Sequence, residues 1–463
     1  MAGQSSRSEA GMVYVVVIST VSALAGLLFG FDTGVIAGAL EPLAHHFAVQ
    51  SEFTKELIVA AVTLGALGGA ICSGKASSRL GRKHSIILSA LLFIAGTLCT
   101  SLAQSVLMVV AGRLVMGFAV GLSAMVVPMY LSEVSPPSIR GGVVFTFQLA
   151  ITIGIFAAYV INSIYAENEN WRWMFGVGIL PALLLFFGML RLPESPRWLV
   201  LKNRTEEARR VLLKIMAVEK TEAALNSIKE SVQHPQGGLR ELFSKRFLPL
   251  VAIAFTLFVL QQLSGINTIF YYAPTVFKEA GFSDPVMVSL LPASVNVAST
   301  VLGIWVVDRL GRRGLAYIGF AGMAVCLILL GADLNGMVGG HGPEPLVSLV
   351  SVLCYIFFFA ISLGGVPYIV MSELFPLTLR SVGMATASCA NWGFNFLVSL
   401  TFLTLSSTLG MGTTFWLYAC FMVLGLVFTY LFLPETKGRR LEDIEANLYA
   451  GKRPRNLGDP VQQ

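Results

Sequence analysis

Two sets of residues in this chain could do chemistry, and both sit inside apolar sequence. The first is an isolated acid and base. Asp32 is the only acid in Gly26 to Gly38, GLLFGFDTGVIAG, and Arg113 stands in the apolar run Ala111-Gly112-Arg113-Leu114. A charge at the centre of a bilayer costs about 2.5–3.5 kcal/mol on insertion scales, so such groups are paired or functional. An acid and a base isolated in one bundle are expected to pair. Protonating Asp32 would break that pair and make a proton switch, whereas a static buried pair would only fix helix packing.

The second set is a run of amides. Leu260 to Pro274 reads LQQLSGINTIFYYAP and follows the almost wholly apolar Phe247 to Val259. Lipid cannot hydrogen-bond Gln261, Gln262 or Asn267, so these side chains must face a bundle interior or a wet cavity. Gly265 weakens the helix among them, and a helix that loosens at mid-membrane beside amides suits a polar, uncharged solute. Amides donate and accept, which fits hydroxyl groups; the rings of Tyr271 and Tyr272 fit an apolar C–H face. The alternative is that the amides only glue helices together. Asn296, in Ser294-Val295-Asn296, extends the set, and Gly364-Gly365-Val366-Pro367-Tyr368 is a second weakened stretch. Gln148, in Phe145-Thr146-Phe147-Gln148-Leu149, is a lone amide that could equally be helix glue.

The elements that must position these residues are membrane helices. Of 463 residues, 55% are hydrophobic and only 13% charged, where a soluble domain is nearer a quarter charged. Helical spans of about 20 apolar residues are expected at 12–40, 56–77, 85–104, 106–131, 142–165, 173–192, 247–277, 286–307, 315–333, 346–371, 381–407 and 413–433. The first apolar run is too long for a cleavable signal. The six cysteines all fall in apolar runs without metal or disulfide spacing and read as small buried hydrophobes. Trp171-Arg172-Trp173 reads as an aromatic-belt anchor.

Charge sets the expected orientation. Of 32 Lys and Arg, 28 fall in the amino-terminus, the even-numbered connections and the tail, while Lys55, Arg172 and Lys278 fall on the other side. The positive-inside rule then places both termini in the cytoplasm. The net charge of +6 follows from these loops; no basic stripe carries base-stacking aromatics, so no nucleic-acid partner is implied. There is no phosphate-binding GxxxxGK[ST] loop. No Ser/His/Asp or metal-ligand constellation lies in the spans, and His45, His46, His84, His234 and His341 fall in loops or at span ends. An enzyme is therefore not expected.

The chain repeats itself around a polar linker. Residues 193–246 hold eleven Lys/Arg and seven Asp/Glu, with short amphipathic helices expected at Glu206 to Met216 and Thr221 to Val232. Arg79-Leu80-Gly81-Arg82-Lys83 returns as Arg309-Leu310-Gly311-Arg312-Arg313. Ser132-Glu133-x-x-Pro136-x-x-Ile139-Arg140 returns as Ser372-Glu373-x-x-Pro376-x-x-Leu379-Arg380, and Pro193-Glu194-Ser195 as Pro434-Glu435-Thr436. Three motifs in one order, 230 to 241 residues apart, mark a duplication. The expected organisation is an all-α integral membrane protein with twelve transmembrane helices in two six-helix bundles: an amino-terminal bundle over 1–192, a linker over 193–246, a second bundle over 247–433 and a cytoplasmic tail over 434–463. Charged groups at matched spacing beside helix ends can latch such bundles in one state and release them in another, although positive-inside signalling accounts for part of the basic content.

These motifs resemble the sugar porters of the major facilitator superfamily. The likeness runs from Gly30-Phe31-Asp32-Thr33-Gly34 to Pro434-Glu435-Thr436-Lys437, and QQLSGIN with PESPRWL makes it specific to sugar porters, nearest to bacterial galactose–proton and xylose–proton symporters. The resemblance implies the major facilitator fold, alternating access and a monosaccharide substrate. It implies proton coupling through Asp32 and Arg113, since passive relatives usually carry an amide at the first position. It implies sugar contacts from Phe29, Gln148, Gln261, Gln262, Asn267, Tyr271 and Tyr272, with Asn296, Tyr368, Asn391, Trp392 and Asn395 at matching pocket positions; Trp392 could instead be a packing residue. It implies latch roles for Arg79, Arg82, Lys83, Glu133, Arg140, Glu194 and Arg197, mirrored by Arg309, Arg312, Arg313, Glu373, Arg380 and Glu435. Three positions depart from the pattern: Ser78 replaces a common acid, Tyr368 a common tryptophan and Gly365 a frequent proline.

The expected function is import of a monosaccharide, a hexose such as glucose or galactose or else a pentose, by proton symport. No cofactor is expected beyond the proton as coupling ion. The expected partners are the sugar and the lipid bilayer, the expected state a monomer, and the expected location a bacterial inner membrane. A passive uniporter and a sugar-sensing receptor are the alternatives.

Overall fold

The computed structural model describes residues 2–136, 139–216, 218–233, 238–338, 342–376, 378–439 and 441–459. His234 and His341, and the last four residues of the tail, lie outside them. Among the described residues there is no strand, and twelve helices are long and apolar enough to cross a membrane. In order they are Gly11–His46, Glu52–Arg79, Arg82–Ser101, Val106–Val134, Arg140–Tyr165, Trp171–Arg191, Leu248–Glu279, Pro285–Gly303, Arg312–Leu334, Pro345–Leu374, Val382–Leu409 and Met411–Leu431, numbered here as spans 1 to 12. Every expected span is present, with ends shifted by a few residues.

The chain forms two compact units, the first being Met1–Val35, Ala61–Ala158 and Asn170–Pro235, and the second Ile36–Ala60, Tyr159–Glu169 and Gln236–Gln463. In the first unit, small residues bring helix backbones together where lipid offers no hydrophobic drive for association. A Cβ on Gly30 would lie 1.8 Å from the Ile151 carbonyl oxygen, so span 1 runs directly against span 5. A Cβ on Gly117 of span 4 would lie 2.0 Å from the carbonyl of Val62 in span 2. Nothing larger than glycine fits either crossing. Three short helices of the linker, Pro196–Leu201, Thr205–Ile215 and Val218–Gln233, close a small apolar core of Trp198, Leu199, Val200, Ala208, Leu212 and Leu225. The last two helices match the expected amphipathic pair.

In the second unit spans 7 and 10 are broken well inside their length. Span 7 consists of Leu248–Leu263 and Ile266–Glu279, separated at Gly265, whose φ of +79° is left-handed. Only glycine takes that conformation without strain, and a Cβ there would meet the Tyr418 ring at 2.4 Å. Span 10 consists of Pro345–Ile361 and Val366–Leu374, separated by Ser362 to Gly365. Breaks at membrane depth leave backbone groups unpaired, and these must be satisfied internally.

Candidate functional site

The broken helices of the second unit present their amides to one another. The Gln261 side-chain amide donates to the Leu363 carbonyl at 2.5 Å, a group freed by the break in span 10. Gln261 Oε1 accepts from Asn391 Nδ2 at 2.8 Å and from Gln262 Nε2 at 3.4 Å. Gln262 Oε1 accepts from Asn267 Nδ2 at 2.7 Å. Asn391, Gln261, Gln262 and Asn267 thus form one continuous amide chain, from span 11 across the break in span 7. Gln261, Gln262 and Asn391 are buried, and Asn267 is half-buried. The break itself is held by the Tyr355 hydroxyl, which donates to the Ser264 carbonyl at 2.7 Å.

Aromatic residues flank this chain. Tyr272 stacks on Phe402 at 5.1 Å and donates its hydroxyl to the Ser399 carbonyl at 3.0 Å. Tyr271 is equally buried, at 2% exposure. Ser399 also donates to the Asn395 carbonyl at 2.7 Å, and Asn395, Trp392 and Asn296 are buried. Tyr368 differs: it is 46% exposed and packs edge-on against Phe258 at 4.9 Å.

In the first unit, Asp32 Oδ1 lies 3.4 Å from Arg113 Nη1, with the two side chains 2% and 0% exposed. The Arg113 guanidinium also lies 5.7 Å from the centre of the Phe175 ring. The aromatic face adds a favourable electrostatic contact to a charge that water does not reach. Phe29 and Gln148 are half-buried on spans 1 and 5 of the same unit. The Phe29 carbonyl accepts from the Thr33 hydroxyl at 3.0 Å.

Each repeat closes its own charged network. In the first unit Arg82 grips Glu133 with Nε and Nη2, at 2.8 and 2.9 Å. Glu194 Oε1 accepts the backbone N–H groups of Arg82 at 2.9 Å, Lys83 at 3.1 Å and Ser195 at 2.8 Å. In the second unit Arg312 grips Glu373 at 3.2 and 2.7 Å, and Glu435 accepts from the N–H groups of Arg312 at 3.0 Å and Arg313 at 3.1 Å. A forked guanidinium on a carboxylate is the strong form of such a pair.

Arg79, Arg140 and Arg309 are exposed, Arg197 is half-buried, and Arg380 has Nε and Nη2 buried without a hydrogen-bond partner among the described residues. In the linker, outside the spans, Arg204 and Glu207 form a two-bonded pair at 2.7 and 2.6 Å. The bonds from Arg204 hold the Glu207 carboxyl below the usual range, and those from Glu207 raise the Arg204 guanidinium.

Some participants escape a reading of the sequence. Ser195 and Thr436 donate to Glu133 and Glu373 respectively; a hydroxyl residue directly after the glutamate in both PES and PET was the available signal. Glu56 is fully buried at the start of span 2, and only its position at a span end marked it. Tyr159 and Tyr355 carry no spacing signal at all. Among the described residues no three His, Cys, Asp or Glu side chains gather as a metal site.

The model for the sugar (and other) transporter family matches residues 18–448. The chain belongs to the sugar transporter family. This sugar transporter is 39% identical over 459 residues to the galactose-proton symporter of Escherichia coli strain K12, covering 98% of each chain. It is 38% identical over 449 residues to the arabinose-proton symporter of the same strain, covering 95% of each. Among solved structures, the major facilitator superfamily proton:xylose symporter XylE, bound to 6-bromo-6-deoxy-D-glucose, superposes with a TM-score of 0.79 at 33% identity, over 94% of this chain and 99% of that one. The transporter is therefore a multi-pass integral membrane protein with the major facilitator fold.

Proposed function

We propose that this sugar transporter imports a monosaccharide together with a proton by alternating access. The observation that carries the reading is the buried pair of Asp32 and Arg113, 3.4 Å apart, in a protein whose relatives include proton symporters for galactose and arabinose. A proton on Asp32 removes the negative charge that balances Arg113 and turns one acceptor oxygen into a donor. Proton arrival from outside would release Arg113 and favour sugar loading; deprotonation inside would reset the carrier. The membrane potential adds about 2.3 kcal/mol per charge per 100 mV to the drive.

The proposed sugar contacts are Gln148, Gln261, Gln262, Asn267, Asn296, Asn391 and Asn395 for hydroxyls, with Phe29, Tyr271, Tyr272, Tyr368 and Trp392 as apolar walls. The amide chain from Asn391 to Asn267 supports this: its members already satisfy one another, so a polyhydroxylated ligand can exchange those bonds for its own at small net cost. The networks around Glu133 and Glu373 are the proposed latches. Both termini are proposed to face the cytoplasm of a bacterium, on the charge asymmetry of the loops, with the protein acting as a monomer in the inner membrane. A passive uniporter is the second reading, because the same amide chain would serve it.

Uptake of radiolabelled galactose and glucose into proteoliposomes, with and without a proton gradient, separates the two. Concentrative uptake that is lost in Asp32→Asn while sugar exchange persists supports symport. Equal, non-concentrative uptake in both proteins leaves the uniporter.

A further inference from the structure

Glu56 is a buried carboxylate that the transport reaction as described above does not use. It lies in the second turn of span 2, is 0% exposed, and comes from the first repeat. Both of its oxygens are held by the second repeat: Oε1 accepts the Thr404 backbone N–H at 2.7 Å and Oε2 accepts the Thr404 hydroxyl at 2.7 Å, and the Leu403 backbone N–H also bonds the carboxylate. Thr404 lies near the end of span 11 that is away from the chain termini. Glu56, Thr404 and the rest of Ile36–Ala60 belong to the same compact unit as Gln236–Gln463. A neutral hydrogen bond also joins the repeats within this unit, from the Tyr159 hydroxyl of span 5 to the Phe270 carbonyl of span 7 at 2.8 Å.

A carboxylate is an expensive group for a purely structural fastener in this setting, where an apolar contact would cost no desolvation. What it offers is a strong but short contact: charge-assisted hydrogen bonds to two adjacent residues of one helix, made or lost together. That is the behaviour required where two helix ends must part in each cycle, because packed interfaces switch between discrete arrangements rather than stretch.

We infer that Glu56 is a positioning residue of the transport cycle, clamping span 2 to Thr404 of span 11 and holding the pathway shut at the end away from the termini. The inference rests on the alternating access proposed above, and its test needs neither sugar nor a proton gradient. Ala60 lies one turn along the same helical face as Glu56 and is 0% exposed. In a variant with the six native cysteines replaced by serine, Ala60→Cys reports opening at this end through its labelling rate with a membrane-impermeant maleimide.

Adding Glu56→Ala or Thr404→Val is expected to raise that rate, by about five-fold for each hydrogen bond lost at roughly 1 kcal/mol apiece. The double variant is expected to label no faster than Glu56→Ala, since both changes remove one contact. An unchanged labelling rate in Glu56→Ala, with an unchanged gel-filtration profile, overturns the clamp. If those variants do not fold, Glu56→Cys with Thr404→Cys provides the second measurement. Oxidative cross-linking of that pair should stop sugar exchange and reduction should restore it; exchange that continues through the cross-link overturns the inference equally. A carrier that exchanges sugar without proton coupling would leave both readouts unaltered, so the two proposals fail separately.

Discussion

The Gln261 side chain donates to the main-chain carbonyl of Leu363, 2.5 Å away, and so ties the break in span 7 to the break in span 10. Each broken helix frees backbone groups that lipid cannot satisfy. Here one freed carbonyl is met by a side chain whose other end belongs to the amide chain. The pocket proposed for sugar and the structural repair of span 10 therefore share one residue.

Gln261→Ala is expected to affect binding and structure together. Losing the bonds to Asn391 and Leu363 should raise the sugar KM by about 10- to 100-fold, since a buried partner left unpaired costs roughly 1–3 kcal/mol. Gln262→Ala, whose bonds stay within the amide chain, should raise KM with a smaller loss of thermal stability. Uptake kinetics together with thermal unfolding in detergent check both.

Asp32→Asn is expected to abolish accumulation against a gradient while leaving exchange. The amide cannot take up a proton, so the pH dependence of uptake should flatten where wild-type uptake rises as the external side is acidified. A uniporter would show the same flat profile for both proteins. Arg113→Ala and Asp32→Asn each leave one buried charge without its counter-charge, at a cost of about 3–5 kcal/mol, so both should lower folding yield.

Gly265→Ala is expected to destabilise the protein by about 1–3 kcal/mol, from left-handed strain at a non-glycine residue, with the clash against Tyr418 added to it. Gly365→Ala is the matched control. Its φ of −117° is ordinary, and a Cβ there meets nothing within 4 Å. Comparing the two unfolding temperatures separates a required break from a tolerated one.

Arg82→Lys and Arg312→Lys keep the charge and lose the fork. Each should lower the rate of exchange, because one ammonium cannot match the two bonds that each guanidinium makes to Glu133 or Glu373. Lysine at either place should leave sugar affinity in the carrier close to wild type, since neither arginine touches the amide chain. A KM change without a rate change would move these residues out of the proposed latch role.

Much of the architecture was legible in the chain itself. Apolar runs the length of a bilayer announce twelve spans because lipid imposes a hydropathy requirement on every residue it touches. The matched RLGR, SE and PE motifs revealed the repeat, and the isolation of Asp32 and Arg113 announced their pairing, because an unpaired charge in lipid is costly wherever it falls. Gly265 among amides announced a helix break for the same local reason.

What only the tertiary structure decided is which partners distant residues meet. Glu133, Glu194, Glu373 and Glu435 were visible as candidates, yet among the described residues it is Arg82 and Arg312 that supply the forked contacts, while Arg79, Arg140 and Arg309 are exposed. Glu56 and Thr404 are separated by 348 residues, and no periodicity links them. Hydropathy and motif spacing act along the chain, whereas a hydrogen bond depends on side-chain geometry between helices. Span 2 and span 11 had to be packed before Glu56 could be seen to have a partner.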